Sequence, residues 1–574
     1  MNWLRFTPRP TLALLLLGLA LAGCRPPSEV PTTSITTPPT LANSHTAKAT
    51  APWFAEIGNQ AGLTFGHQSG HREKFFMPEI NTGGVGVLDF DGDGLMDIFC
   101  VQGGSLYDDA TNAPGHRLYR NLGNWRFEDM TEKANLATRS TGYGMGVACA
   151  DFDGDGHVDL LVTQVGSNIL YRNTGRGTFE DVTGKAGVKG HSWGTSAAFL
   201  DYDGDGHLDL FIANYLRWSP GTEVECFSRG GQRDYCSPLN YQAPAMDTLF
   251  RNRGDATFED ATLAAGLNAA FGTGLGVGVA DFDRDGKPDI FVANDAMPNQ
   301  LWINKGKGKF KDEALVRGCA VNAMGVSEAG MGVAVLDLFE RGQWDIFVTH
   351  LTGELNRVYA NSNGWFNDLV APRGPGATSG ASTGFGVVAA DFDNDGILDL
   401  YVANGRVRLG PTDLDKADPY AERNSLLHGL GKGEFERVGG GDGVNPPLLA
   451  SSRGLAVADF DNDGALDLVV ANRDNRFHLL RNVTNLRGHW LRLRVLNAMG
   501  SDALGAEVSL ESSGKIQRRQ VRPHEGYCSS NDPRVHFGLG ESSRADRVTV
   551  FWPGGEKEVF GPLEGGSEHT VRRK

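Results

Sequence analysis

The nonapeptide Asp89-Phe90-Asp91-Gly92-Asp93-Gly94-Leu95-Met96-Asp97 returns, as the pattern D-x-D-x-D-G-x-x-D, from Asp151, Asp201, Asp281, Asp391 and Asp459. A seventh copy starts at Asp337 and keeps a carboxylate only at its first and ninth positions, Asp337 and Asp345, with Phe339 and Arg341 between them. Successive copies begin 50 to 80 residues apart. That interval suits one four-stranded propeller blade and its loops. It predicts an all-β chain: a seven-bladed β-propeller over 53–487, followed by a small β domain over 488–574.

The loop is a set of hard oxygen donors, as calcium requires. Carboxylates at positions 1, 3, 5 and 9 surround one point, position 6 is the Gly of a sharp bend, and position 7 offers a backbone carbonyl. The predicted ligands are therefore Asp89, Asp91, Asp93, Leu95 and Asp97; Asp151, Asp153, Asp155, His157 and Asp159; and Asp201, Asp203, Asp205, His207 and Asp209. The remaining three loops supply Asp281, Asp283, Asp285, Lys287 and Asp289; Asp391, Asp393, Asp395, Ile397 and Asp399; and Asp459, Asp461, Asp463, Ala465 and Asp467. An EF-hand needs Glu at position 12, where these loops carry Cys100, Val162, Ile212, Val292, Val402 or Val470. Acidic turns without an ion would crowd like charges at a cost, and the chain holds no His/Cys cluster with zinc spacing. About six Ca2+ sites are expected, and none at Asp337, where Arg341 supplies a fixed cation.

Apolar runs such as Gly274–Ala280 precede each loop and others such as Leu468–Ala471 follow it, as buried strands do. Farther on come Leu118-Tyr119-Arg120-Asn121, Leu170-Tyr171-Arg172-Asn173 and Leu249-Phe250-Arg251-Asn252, then a Gly turn and a Phe, the pattern of a hairpin. Trp53-Phe54-Ala55-Glu56-Ile57 resembles the closing strand of these units but follows no Asp loop, while the last unit lacks one. The N-terminal segment is therefore expected to complete the last blade and cover its edge.

The formal charge of −16 argues against nucleic acid. Six divalent ions would offset most of it, leaving about −4. Arg5 and Arg9 precede the apolar run Leu12–Ala22, which is short for a membrane span and fits a signal peptide over 1–23. Leu21-Ala22-Gly23-Cys24 resembles the bacterial lipobox, which makes Cys24 the lipidated first residue of an exported, envelope-anchored protein. Pro, Thr, Ser and Ala dominate 24–52, a tether. Cys226 and Cys236 are expected to pair in an oxidising compartment, and Cys100 and Cys149 to remain buried thiols.

These units resemble the FG-GAP/VCBS repeat of integrin α-subunit propellers and of the cartilage acidic protein family, with Val292-Ala293-Asn294-Asp295 and Asn299-Gln300-Leu301-Trp302 as blade motifs. The resemblance runs over 53–574 and implies calcium at the first, third, fifth and ninth positions of the six intact loops. Gly505-Ala506, Gly526-Tyr527, His536-Phe537-Gly538-Leu539-Gly540 and Trp552-Pro553-Gly554 resemble the ASPIC/UnbV domain that follows the propeller in that family.

Two functions compete. A rigid ring presenting variable loops suits an extracytoplasmic binding or adhesion module for a protein or glycan partner. An enzyme, with its site on the propeller face or at the junction with the C-terminal domain, is the alternative, since relatives occur in biosynthetic clusters. Catalytic signatures are weak. Gly380-Ala381-Ser382-Thr383-Gly384 fits G-x-S-x-G but precedes a strand. His67, His71 and Glu73 read as loop, and Arg253-Gly254-Asp255 as hairpin chemistry. No catalytic residue is assigned.

Overall fold

The computed structural model describes residues 51–574 apart from 108–113, 137–141, 191, 370–372, 378, 411–413, 440 and 486–487. The signal peptide, Cys24 and most of the tether lie outside the described residues. Each apolar run before an Asp loop forms a first strand and each run after it an antiparallel second strand. Gly274–Ala280 and Asp289–Asn294 are such a pair, with Ala280 opposite Asp289. The Arg-Asn segments form third strands, such as Thr248–Asn252, and the Phe segments short fourth strands, such as Phe258–Asp260. Seven sheets repeat this order. Both faces of the inner strands are buried, so these strands read as continuous apolar runs rather than alternating ones.

The core lies between sheets: Phe99 and Leu118 of one pack with Val147, Leu160 and Tyr171 of the next. First strands adjoin in sequence order, and the last, Ser452–Ala458, lies beside the first, Val85–Leu88. The ring is thus closed. Phe54–Glu56 pairs antiparallel with His478–Asn482, Ala55 opposite Arg481, and supplies the fourth strand of the last sheet as the sequence predicts.

A side-chain latch joins the sheets. Asn121 Nδ2 donates to the Phe460 carbonyl at 2.8 Å, bridging the first and last blades. Asn173, Asn252, Asn304, Asn361 and Asn482 reach in the same way to Phe90, Phe152, Tyr202, Phe282 and Phe392. In the Asp391 blade the equivalent residue is Gly429. A Cβ there would stand 2.2 Å from the Leu398 carbonyl oxygen, so no Asn fits.

The C-terminal strands form two main sheets, of which one orders Lys515–Gln520, Glu507–Ser512, Arg547–Phe551 and Lys557–Phe560. His489–Leu496 is central in the other, between Val535–Gly540 and Ser567–Arg572. Their core includes Leu491, Val508, Phe537 and Val548. This region is not a separate body: Ala49–Lys574 forms one compact unit. The segment 522–531 runs along the inner strands. Ser529–Ser530 pairs in parallel with Val85–Leu88, and Gly526 bridges to Val333. Cys528 N–H donates to Ser196 Oγ, while Ser529 Oγ accepts from Leu455 N–H and Ser530 Oγ from Cys149 N–H. Tyr527, buried against Phe385, donates to the Asn81 carbonyl at 2.5 Å. The segment is a plug touching most of the blades.

A disulfide joins Cys226 to Cys236, whereas Cys100, Cys149, Cys319 and Cys528 are free and buried.

Candidate metal centres

The first Asp of each loop folds the turn. Asp89 Oδ1 accepts the N–H groups of Gly92 and Asp93 at 2.8 and 3.1 Å, and its Oδ2 that of Gly94 at 3.0 Å. The ninth ties the loop to the blade: Asp97 Oδ2 accepts Phe90 N–H at 3.0 Å and Oδ1 accepts Asn121 N–H at 2.7 Å. Position 4 has a left-handed backbone, which Gly adopts without strain at Gly92 (φ 76°). The Asp281 loop forces Arg284 into that region, at φ 61°.

This turn gathers the carboxylates. One oxygen from each of Asp89, Asp91 and Asp97 lies within 4.8 Å of the others, as for Asp151, Asp153 and Asp159. Asp201, Asp203 and Asp209 form a like group, as do Asp281, Asp283 and Asp285. The third-position Oδ1 atoms of Asp203, Asp283 and Asp461 are buried with no hydrogen-bond partner. An oxygen-rich shell with an unsatisfied anionic acceptor fits a hard cation.

Burial, before any other cause, raises the carboxyl pKa values. Asp209 and Asp289 are pushed up to about 8, Asp393 to about 7, and Asp281 and Asp459 to about 6. Asp97, Asp159, Asp391 and Asp467 lie well above the usual carboxylate range for the same reason, and neighbouring Asp charges add to it. Carboxylates so placed need a cation or protons to offset their charge.

A third-strand cation supplies part of that offset. Arg120 Nε lies 2.5 Å from Asp91 and its Nη2 3.0 Å from Asp93. Arg251 meets Asp203 and Asp205 at 2.6 and 2.8 Å, and Arg172 spans Asp153 and Asp155 in the same way. In the Asp281 blade Ile303 takes this place, and Arg317 approaches Asp283 at 2.9 Å from a neighbouring helix, Ala314–Arg317. In the Asp391 blade His428 takes it, 3.0 Å from Asp399. That hydrogen bond is the largest cause raising the imidazole to about 9. Sequence reasoning saw the Arg-Asn pairs only as hairpin marks. The repeated pairing of Arg with Asn downstream of four of the loops, at Arg120-Asn121, Arg172-Asn173, Arg251-Asn252 and Arg481-Asn482, was the signal for both roles.

The Asp337 loop folds alike, with Asp337 accepting the N–H groups of Arg341 and Gly342 at 2.7 Å each. Arg341 Nη2 stands 2.8 Å from Asp345 Oδ1, and its guanidinium lies over the Phe339 ring. The guanidinium thus pairs with the ninth-position carboxylate of this loop.

The C-terminal region docks on the Asp-loop face. Arg492 Nη1 lies 2.7 Å from Asp459 Oδ2, Ser501 Oγ donates to Asp151 Oδ2 at 2.5 Å, and His536 Nε2 is 2.7 Å from Asn394 Oδ1. A family model described as FG-GAP-like repeat matches residues 89–162, 151–212, 231–292, 281–348 and 337–402. The chain belongs to the FG-GAP-like repeat family. A second model, ASPIC and UnbV, matches 497–574 and marks the docked region of this FG-GAP chain. The chain is 28% identical to cartilage acidic protein 1 of Xenopus tropicalis over 82% of its length and 70% of that protein's. It is 27% identical to cartilage acidic protein 1 of Homo sapiens, over 82% of this chain and 69% of that one. Among solved structures, one titled for recognition of non-reducing terminal N-acetylglucosamine by an Agrocybe aegerita lectin overlaps loosely. It covers 69% of this chain and 86% of that one, with 18% identity and a TM-score of 0.38.

Other candidate motifs fall elsewhere. His67 is buried, accepts from Asp474 N–H, and is driven down to about 4 by desolvation. His71 pairs with buried Glu79 at 2.7 Å, with the Tyr235 hydroxyl 3.2 Å away; no bond joins it to Glu73. Gly380 to Gly384 leads into the strand Gly384–Ala390, and Arg253 is held by Glu259 on its hairpin.

Proposed function

We propose that the six intact loops hold calcium and that the ring acts as an extracytoplasmic binding or adhesion module, anchored to the envelope through a lipid on Cys24. The supporting observation is the buried, partnerless third-position oxygen of Asp203, Asp283 and Asp461, each beside further carboxylates whose burial disfavours charge. The bound ion would supply positive charge at the loop centre. The chain's own residues do the rest: position 1 shapes the turn, position 9 fastens it to the third strand, and the latch Asn passes that order to the next blade. Calorimetric titration of chelator-treated protein should show uptake at about six sites, and Tm should rise with calcium. No uptake, with the same Tm in chelator, would defeat the reading. Cys24→Ser should abolish fatty-acid labelling and release the protein from membranes.

An enzyme with its site at the junction of the ring and the C-terminal region is the second reading. A cleft of about 820 Å3 there supports it. Turnover of a small molecule that survives loss of the anchor would favour it.

A further inference from the structure

The Asp391 loop differs from the other intact loops in the side chain that the third strand sends to it. In three blades an Arg reaches the third and fifth carboxylates, as Arg120 reaches Asp91 and Asp93, and in a fourth Arg481 reaches Asp461. The strand Ser425–Gly431 carries His428 in that place. Its Nδ1 is aimed at a different pair. It lies 3.0 Å from Oδ1 of Asp399, the ninth residue, and 3.9 Å from Oδ2 of Asp393, the third. One donor atom from each of these three residues lies within 4.8 Å of the other two. Asp395, at the fifth position, makes no ion pair among the described residues.

The change from Arg is chemical as well as geometric. A guanidinium has only donors, so it can balance carboxylates but cannot bind a metal. An imidazole with its proton on Nε2 offers a lone pair at Nδ1 and can do so. Two donors held about 2.1 Å from one first-row ion stand about 3 to 4 Å apart. His428 Nδ1 stands so from both carboxylate oxygens. The Trp53 ring packs against the imidazole, 5.2 Å between centroids. Charge balance does not require this histidine to stay protonated. Arg519 of the docked region acts on Asp391 at longer range, bonding meanwhile to the Arg518 carbonyl and the Gln517 side chain. It supplies the one positive charge that the strand Arg supplies elsewhere. Cover matters too: Asp391 and Asp393 are buried, Gly538 backs onto the first, and Gly488 N–H donates to the Asp393 carbonyl. An open loop can complete a calcium shell with water. A covered one has less water to draw on, and a side-chain nitrogen fills a place.

We propose that the Asp391 loop binds a first-row divalent transition ion in preference to calcium, with His428 Nδ1 as a ligand beside Asp391, Asp393, Asp395 and Asp399. Imidazole nitrogen favours such ions, whereas calcium takes oxygen donors. Calcium fills this loop only when no such ion is supplied.

The inference rests on the reading of these loops as cation sites, and one experiment separates the two. The full chain in detergent, freed of metals, is saturated with calcium and then titrated with Mn2+ under electron paramagnetic resonance. About one Mn2+ per chain should bind against a tenfold or greater excess of calcium, and its spin echo should carry modulation from a bound nitrogen. His428→Arg, which restores the residue of the sister blades, and His428→Gln should each abolish that modulation. Each should also weaken Mn2+ tenfold or more against calcium, with calcium uptake at the other loops unchanged. Calcium uptake without calcium-resistant Mn2+ overturns the inference and spares the calcium reading. Nitrogen-bound Mn2+ that is lost in both variants, without calcium uptake elsewhere, supports the inference and overturns the calcium reading. Failure of both ions to bind overturns both. Mn2+ without nitrogen modulation, or modulation that survives both variants, as from His157 or His207, overturns the assignment to His428.

Discussion

At the residue scale the latch Asn is the smallest part with a global role. Asn482 accepts no substitute from its surroundings, since its Nδ2 is buried between the carbonyls of Phe392 and Leu466, at 2.8 and 3.2 Å. Asn482→Ala should cost about 2 kcal/mol, most of it from leaving a buried carbonyl unsatisfied, read as a lower denaturation midpoint at unchanged slope. His524 sets an acid limit. Its Nδ1 accepts from Phe199 N–H and its Nε2 faces the Cys149 carbonyl, and burial lowers its pKa to about 4. The unfolded chain takes up this proton near pH 6.5, before the folded chain can, so stability is lost as pH falls from about 6.5 towards 4. The loss approaches about 3 kcal/mol at the lower end. His524→Gln should flatten that part of the stability-against-pH curve relative to the parent. An unchanged curve would show that the histidine does not remain neutral.

At the scale of elements, the strand Phe54–Glu56 carries the closure. Ala55→Pro removes a ladder donor opposite Arg481 and should loosen this strand, exposing the edge of His478–Asn482. Light scattering should then find dimers or larger species, and a strictly monomeric variant with parental Tm would discount the role. This element was legible in the sequence because Trp53 to Ile57 repeats a pattern whose partner strand was visibly missing. The Asp loops were legible for a similar reason: their ligand types recur at fixed spacing, and the turn needs little from elsewhere. The plug was not. Residues 522–531 bond mainly to backbone groups of strands hundreds of positions away, which imposes no periodicity, and Gly526-Tyr527 stood out only as a family likeness. The Glu79–His71 pair was missed because the nearer Glu73 seemed the natural partner, whereas the helix Met77–Asn81 turns Glu79 inward.

At the scale of the molecule, docking of the C-terminal region makes the six loops unequal. In the Asp391 loop, Asp391 and Asp393 are 2% and 5% exposed, Gly538 backs directly onto Asp391, and His536 holds Asn394. In the other five intact loops the third-position Asp remains partly or fully exposed. An ion in the Asp391 loop could leave only after the C-terminal region lifts, and that movement must also strain the plug that fastens the region to the inner strands. Opening of this kind is slower than release from an open surface loop. Mixing the calcium-loaded protein with a fluorescent chelator should therefore give a fast phase and a slow one, the slow phase about one sixth of the amplitude if all six loops fill. His536→Ala removes one tether of the docked region and should accelerate the slow phase while leaving the fast one alone. A single phase, or a slow phase indifferent to His536, would mean that docking does not control access to the ring's most deeply covered loop.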